Sequence, residues 1–254
     1  MVLVLDIGNS DITIGLFNRE ELRHTWRIPS TAQRPELFYG IKFRDYFQEA
    51  GLPITAVEKI VLSSVVPNLT GTIINVTVSL FKKNPIVLGP EVYPKLPIEV
   101  LNPYEIGSDL VANAVSAHSL FNKTCIIVDF GTALTFTTIS GEGKMLGVAI
   151  APGLKTAIRA LSQNTAKLFD VPLEQPETAL GKNTVQAIQA GILLGYEGLV
   201  KSMLERIKIE LNDPEISTVA TGGLSSIITP SSGTFTRVEP NLTLNGLRLV
   251  AECV

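Results

Sequence analysis

The 254-residue sequence holds two histidines, two cysteines and one tryptophan, and each scarcity removes a class of chemistry. With only His24 and His118, neither a histidine-rich zinc site nor a Ser-His-Asp triad is expected. Cys125 and Cys253 lack metal-ligand spacing, so both are expected to be buried thiols in a reducing cytoplasm rather than a disulfide pair. No apolar run approaches the ~18 residues of a membrane-spanning helix. No basic leader precedes Asp6, so no signal peptide is expected. Positive charge is also scarce and scattered: the net charge is −3 and the basic residues stand singly, which argues against a nucleic-acid-binding face. What remains, at 45% hydrophobic and 18% charged residues, is ample core material for one large domain or two ordinary ones.

Two stretches favour two. Leu3 to Phe17 reads LVLDIGNSDITIGLF and Ile126 to Ser140 reads IIVDFGTALTFTTIS. Laid with Asp129 over Asp6, both give a β-rich run, Asp, an apolar residue, Gly, a small polar residue and a second β-rich run. Each copy is expected to enter as a buried strand (Val2 to Leu5, Cys125 to Val128), turn at the glycine, and leave as another strand. The amides of Gly8, Asn9 and Ser10, and of Gly131, Thr132 and Ala133, are expected to lie outside the strand ladder, where such turns can hold phosphate oxygens. Asp6 and Asp129 stand at the strand ends beside them, where a cation neutralising a polyphosphate is wanted. For either copy alone, Asp-x-Gly is also ordinary turn chemistry; the doubling points to two lobes clamping one nucleotide.

The remaining pattern is that of an α/β protein. Leu22 to Ile28 alternates as a third strand, in which His24 reads as a packed or edge residue. A helix follows over Pro35 to Ala50 with Gly51 at its C-terminal cap, then a buried strand at Lys59 to Val66, a helix at Leu69 to Phe81 and a short strand at Pro85 to Leu88. Gly89 to Pro103 is a proline-rich loop. It leads to Gly107-Ser108-Asp109-Leu110 and an alanine-rich helix, with Asp109 in the first turn, where a carboxylate suits the helix dipole. The second half repeats strand, strand, strand, then breaks at Ala151-Pro152-Gly153 into a helix. Gly181-Lys182-Asn183-Thr184 opens a long helix to Leu211 and is not a P-loop, because the first glycine of that motif would fall at Pro176 and Asn follows the lysine. A short strand at Thr218 to Ala220 ends in Thr221-Gly222-Gly223, where backbone can approach a flat ligand. A last short strand at Arg237 and Val238 and a helix over Leu242 to Glu252 close the chain.

In order and spacing, Asp6-Ile7-Gly8-Asn9-Ser10, Asp129-Phe130-Gly131-Thr132-Ala133, Ile150-Ala151-Pro152-Gly153, Gly181-Lys182-Asn183-Thr184 and Thr221-Gly222-Gly223 together resemble the type III pantothenate kinases. That resemblance implies a duplicated ribonuclease-H-like α/β fold, with an N-terminal lobe over residues 1–116 and a C-terminal lobe over 117–254. It also implies phosphorylation of pantothenate by ATP with Mg²⁺, the first step toward coenzyme A, in a cytoplasmic homodimer with no nucleic-acid or membrane partner. By position, Asp6, Ile7, Gly8, Asn9, Ser10, Asp11, Ile12 and Thr13 correspond to the first ATP-binding turn, and Thr132 to an ATP contact in the second. Asp109 corresponds to the catalytic base, Asp129 to the ligand of a monovalent cation (K⁺ or NH₄⁺), and Asp6 is a candidate Mg²⁺ ligand. Gly107, Ser108, Asp109, Leu110 and Thr184 correspond to substrate-binding residues.

Three departures stand out. Leu110 replaces the arginine of the family's Gly-x-Asp-Arg, Val100 stands where many members have tyrosine, and Gly147-Val148 replaces a Gly-Gly pair. Losing one charge-assisted hydrogen bond to an acidic acceptor costs roughly 1.5–3 kcal/mol, or about one to two powers of ten in affinity. Two further readings follow: a kinase of another small hydroxy compound, or a non-catalytic nucleotide-binding regulator. The retention of Asp6, Asp109 and Asp129 speaks against the second.

Overall fold

A computed structural model of the chain describes residues 1–30, 34–228 and 233–254. Its contacts form two compact units. The first comprises Met1–Ser119, Gly143–Met145 and Leu242–Val254, and the second Leu120–Glu142 and Leu146–Asn241.

The first unit is built on β1 (Val2–Ile7), β2 (Asp11–Asn18), β3 (Glu21–Pro29), β4 (Lys59–Ser64) and β5 (Ile86–Val87), in the spatial order β3-β2-β1-β4-β5. The hairpin strands β1, β2 and β3 pair antiparallel, whereas β4 pairs parallel with β1 and β5 parallel with β4. The unbroken apolar run that opens β1 reflects a strand covered on both faces. On one face Leu3, Leu5, Ile14, Leu16 and Leu62 pack against α1 (Glu36–Glu49) and α2 (Pro67–Phe81), which contribute Tyr39, Phe43, Phe47 and Phe81. Edge strand β3 alternates buried and exposed positions, and its His24 ring stacks on Trp26 at 5.3 Å, the packed edge histidine its sequence suggests. Gly51, just past α1, has φ +66, the left-handed conformation expected of a helix C-terminal glycine. After β5, a single 3₁₀ turn at Tyr93–Lys95 interrupts the proline-rich loop, and α3 (Ser108–Phe121) begins three residues earlier than the alanine pattern suggests.

The second unit repeats this order. Strands β6 (Cys125–Phe130), β7 (Ala133–Ile139), β8 (Met145–Pro152), β9 (Ser217–Thr221) and β10 (Arg237–Val238) form the sheet β10-β9-β6-β7-β8, the first sheet's order read from its other edge. Again the first pair is antiparallel and the crossovers are parallel. Helices α4 (Leu154–Asn164) and α5 (Thr184–Glu210) cover one face, where Leu154, Ile158, Ile188, Ile192 and Leu204 meet Ile126, Val128, Phe130, Leu134 and Phe136. A four-residue helix, α6 (Ser225–Ile228), follows β9, and α7 (Leu242–Cys253) ends the chain. This twice-used order is the ribonuclease-H-like arrangement.

The units differ from a division at residue 116 in one main respect. Helix α7 belongs with the first unit, although the chain reaches it last. Its Leu244 lies against Gly15 of β2, its Thr243 hydroxyl donates to the buried Asn113 of α3 at 2.8 Å, and the Lys59 ammonium donates to Ala251 O and Val254 O at 2.7 and 2.9 Å. A cation at the last carbonyls satisfies groups that a helix end leaves unpaired. Cys125 is buried as its strand implies, but Cys253 is exposed, because it falls on the outer face of α7.

Helix α7 approaches α3 so closely that a Cβ on Gly246 would stand 1.9 Å from Ala112 O. Gly246→Ala must therefore push the two helices apart. It is expected to cost about 1–3 kcal/mol or more, read as a lower urea midpoint with the slope unchanged.

Candidate active site

The functional residues gather where parallel strands end, the usual position for ligand sites in α/β sheets. In the first unit, β1 ends at Asp6-Ile7 and the chain turns through Gly8, Asn9 and Ser10 into β2. Gly8 N–H closes the turn on Asp11 O at 3.0 Å, so this amide is not available to a phosphate as the sequence suggests. Ser30, at the end of β3, braces the turn from outside: its hydroxyl donates to Gly8 O and its N–H to Ser10 O. Asp6 lies opposite Thr13 on β2 and Ser63 on β4.

Ser63 connects this strand end to the base of α3. Its Oγ lies 2.9 Å from Ser108 Oγ, which also accepts from Ser64 N–H at 3.1 Å. Asp109 follows immediately in the first turn. Its carboxylate accepts from Leu110 N–H at 2.9 Å, and a Cβ at Gly107 would stand 2.4 Å from Asp109 Oδ1, so glycine there makes room for the carboxylate. Desolvation raises the Asp109 carboxyl above its ordinary range, and the helix-start amides of Leu110 and Asp109 itself partly offset this. A carboxyl so placed has a stronger hold on a proton than an exposed one, as a proton acceptor needs.

Leu110, standing at the family arginine's position, is buried in the core at 8% exposure. Tyr104, the nearest tyrosine in sequence, is 90% exposed. Tyr93 is the tyrosine beside the carboxylate: burial, reinforced by the Asp109 charge, pushes its phenol up to about 12. Nothing in the sequence pattern singles out Tyr93, because it reaches Asp109 through the fold of the proline-rich loop.

In the second unit the turn after β6 is one residue tighter. Phe130 pairs with Leu134, whereas Ile7 pairs with Ile12, and Gly131 N–H bonds to Ala133 O at 3.1 Å, so it too is used within the turn. The Ala151-Pro152-Gly153 break supports it from behind: Gly153 N–H and the Thr156 hydroxyl both donate to Thr132 O, at 3.0 and 2.7 Å. A Cβ on Gly153 would stand 2.2 Å from Gly131 O, which explains the glycine.

Asp129 has Thr135 of β7 and Thr221 of β9 as its register partners, so the three side chains share a face. The hydroxyls of both threonines are buried and have no hydrogen-bond partner among the described residues. A carboxylate flanked by two unused hydroxyls is an all-oxygen donor set suited to a hard cation. Gly222, at φ +89, brings β9's end against this site; a Cβ there would meet Asp129 Oδ1 at 2.4 Å, so its bare backbone serves the aspartate directly. Among the described residues no three His, Cys, Asp or Glu side chains gather as a metal cage.

Thr184 begins α5, whose start is tied by a reciprocal cap: Asn183 Oδ1 accepts from Gln186 N–H at 2.9 Å, while Gln186 Oε1 accepts from Lys182 N–H at 3.0 Å. Gly181 packs so tightly on this turn that a Cβ would stand 2.2 Å from Ala187 N. Thr184 lines an open cavity of about 490 Å³ with Leu161, Leu168, Lys182 and Ile188.

Comparison with known proteins agrees with these features. The family model for type III pantothenate kinase matches residues 2–206. The chain belongs to the type III pantothenate kinase family. A protein named type III pantothenate kinase from Geobacter sulfurreducens is 41% identical over 253 residues, covering 99% of this chain and 98% of its own length. One from Moorella thermoacetica is 41% identical over 252 residues, covering 99% of each chain. Among solved structures, an inorganic polyphosphate/ATP-glucomannokinase from Arthrobacter shares the fold at a TM-score of 0.51 and 12% identity, over 99% of this chain and 98% of its own. The duplicated ribonuclease-H-like fold is thus shared with that kinase. Within this type III family member, the first-unit residues Asp6 to Thr13, Ser108 and Asp109 come together at one sheet end. The second-unit residues Asp129 and Thr132 come together at the other sheet's end, and Thr184 stands on α5.

The raised Asp109 carboxyl has a consequence for folding. The folded state holds this proton to higher pH than the unfolded chain, so its contribution to stability is full below the ordinary carboxyl value of 3.8 and is lost as pH rises from there through the folded value. Asp109→Asn, which keeps the acceptor for Leu110 N–H, is expected to be more stable than wild type at pH 7. The difference should vanish below the ordinary carboxyl range, as read by thermal melts across pH.

Proposed function

We propose that this protein transfers the γ-phosphoryl group of ATP to the primary hydroxyl of pantothenate, giving 4'-phosphopantothenate in coenzyme A biosynthesis. The observation that carries this reading is the half-buried, desolvated Asp109 in the first turn of α3, joined to the Asp6 strand end through Ser108 and Ser63, in a chain belonging to this kinase family. An alcohol is a poor nucleophile until its proton leaves. Asp109 accepts that proton as the hydroxyl oxygen attacks phosphorus and the bond to ADP breaks. The turns at Gly8 and Gly131 serve the phosphates, with Thr132 as a nucleotide contact. Mg²⁺, when bound with ATP, neutralises phosphate charge, and Asp6 is its candidate protein ligand.

Asp129 with Thr135 and Thr221 holds a monovalent cation, K⁺ or NH₄⁺; the two unpartnered hydroxyls support this assignment. Gly107, Asp109 and Leu110 are the acceptor contacts in the first unit and Thr184 in the second, whereas the Ser108 hydroxyl is engaged by Ser63 and Ser64. The protein works as a cytoplasmic homodimer. Leu110 supports a second reading of acceptor choice, because a buried leucine offers nothing to a carboxylate. On that reading, pantothenate and its carboxylate-free alcohol analogue differ in kcat/KM by less than the roughly ten- to hundredfold that one charge-assisted bond provides.

The test is an assay of the purified protein with ATP, Mg²⁺, K⁺ and pantothenate. Formation of 4'-phosphopantothenate is expected, and no product with pantothenate or any hydroxy acceptor of a panel would overturn the kinase reading. Asp109→Asn is expected to lose most turnover while its calorimetric affinity for ATP stays near wild type. Undiminished turnover in that variant would remove Asp109 as the base.

A further inference from the structure

The first turn of α3 raises a positional question. Asp109 is bonded by backbone amides at the start of α3, and among the described residues no side chain from elsewhere holds the carboxylate in place. Its location is therefore set by the backbone of the turn, and Ser108 anchors that backbone. The Ser108 hydroxyl has one proton and two lone pairs. Three partners surround it: Ser64 N–H donates to it at 3.1 Å, the Ser63 hydroxyl lies at 2.9 Å, where either oxygen can donate, and Ser64 O lies within reach of its proton at 3.3 Å. The hydroxyl is fully used, and Ser108 is 6% exposed and Ser63 0%. It has no capacity left for an acceptor molecule, although its position in the motif suggests substrate contact. Ser63 in turn is the register partner of Asp6 across the parallel β1–β4 pair, where strands run about 4.8 Å apart.

We propose that the Ser63–Ser108 hydroxyl pair is a positioning device: it sets the distance between the Asp6 strand end and the base-bearing turn of α3, and thereby aligns Asp109 for proton transfer. Ser108 and Ser63 act through Asp109 and touch no substrate. This rests on the reading of Asp109 as the base.

Steady-state kinetics on the full chain test it, with Ser108→Ala, Ser63→Ala, the double variant and Asp109→Asn measured side by side with ATP and pantothenate. Ser108→Ala is expected to lower kcat by about ten- to a hundredfold, the effect of a small misplacement of a reacting group, with KM for both substrates unchanged. Ser63→Ala should fall in the same direction by less. The double variant should be no slower than Ser108→Ala, because the two hydroxyls form one unit. Wild-type kcat in both single variants, even with a lowered melting temperature, would overturn the proposal by reducing the pair to a structural role. A raised pantothenate KM at unchanged kcat would overturn it by assigning Ser108 to acceptor binding. Should Ser108→Ala fail to fold, Ser63→Ala alone decides by the same kcat criterion. Asp109→Asn separates the two levels: if it retains turnover the base assignment fails, whatever the serine variants do.

Discussion

The parallel pairing of β1 with β4 is the constraint on which the first unit's chemistry depends. It requires β1 to be apolar along most of its length, since α1 and α2 cover one face and α7 the other. Polar side chains are then admissible only where the pair runs out. Asp6 and Ser63 occupy that margin in register, and the next residues on each strand lead into the Gly8 turn and toward α2. Moving the register by one residue would turn Asp6 into the core and a leucine into the site. The fold thus dictates where carboxylates can stand before any question of catalysis arises.

Duplication supplies this margin twice, and the two copies have diverged in how they brace it. The first turn is held by the Ser30 hydroxyl at the end of β3 and the second by the Gly153 amide and the Thr156 hydroxyl at the start of α4. A one-residue difference in turn length keeps an aspartate at each strand end but changes the hydroxyls around it. Asp6 faces Thr13 and Ser63, the latter bonded to Ser108, whereas Asp129 faces two threonines whose hydroxyls have no partner among the described residues. Equivalent positions in one fold thus have different surroundings, the first tied to a helix start through a hydroxyl pair and the second flanked by two threonines.

Much of this was legible in the sequence because it follows from short-range rules. Strand runs, the Gly51 cap, the Pro152-Gly153 break and the Asn183 start of α5 all declare themselves through period and turn chemistry, and each lies within a few residues of its expected place. Features set by tertiary contact did not. The pattern of α7 gives an apolar face but not which sheet it covers, so its return to the first unit required the Gly246 contact with Ala112 and the Lys59 cap to be seen. The amides of Gly8 and Gly131 looked available because the ladder excludes them, yet each bonds within its own turn. Tyr93 and the inward use of Ser108 depend on how a loop and a helix start pack, and no periodicity records that.

Leu110 shows how the same packing constrains specificity. The helix start already contains one group whose ionised form is disfavoured, Asp109, and a buried guanidinium beside it would compensate that charge. Leucine offers no such compensation, so the carboxyl relies on backbone amides against desolvation. On the proposed reading, in which Asp109 is the base and residue 110 lies at the acceptor, a leucine here bears on both acceptor binding and the base's hold on its proton. Because general-base efficiency depends on that affinity, the proposed reading links acceptor binding and proton transfer through the packing of one apolar side chain.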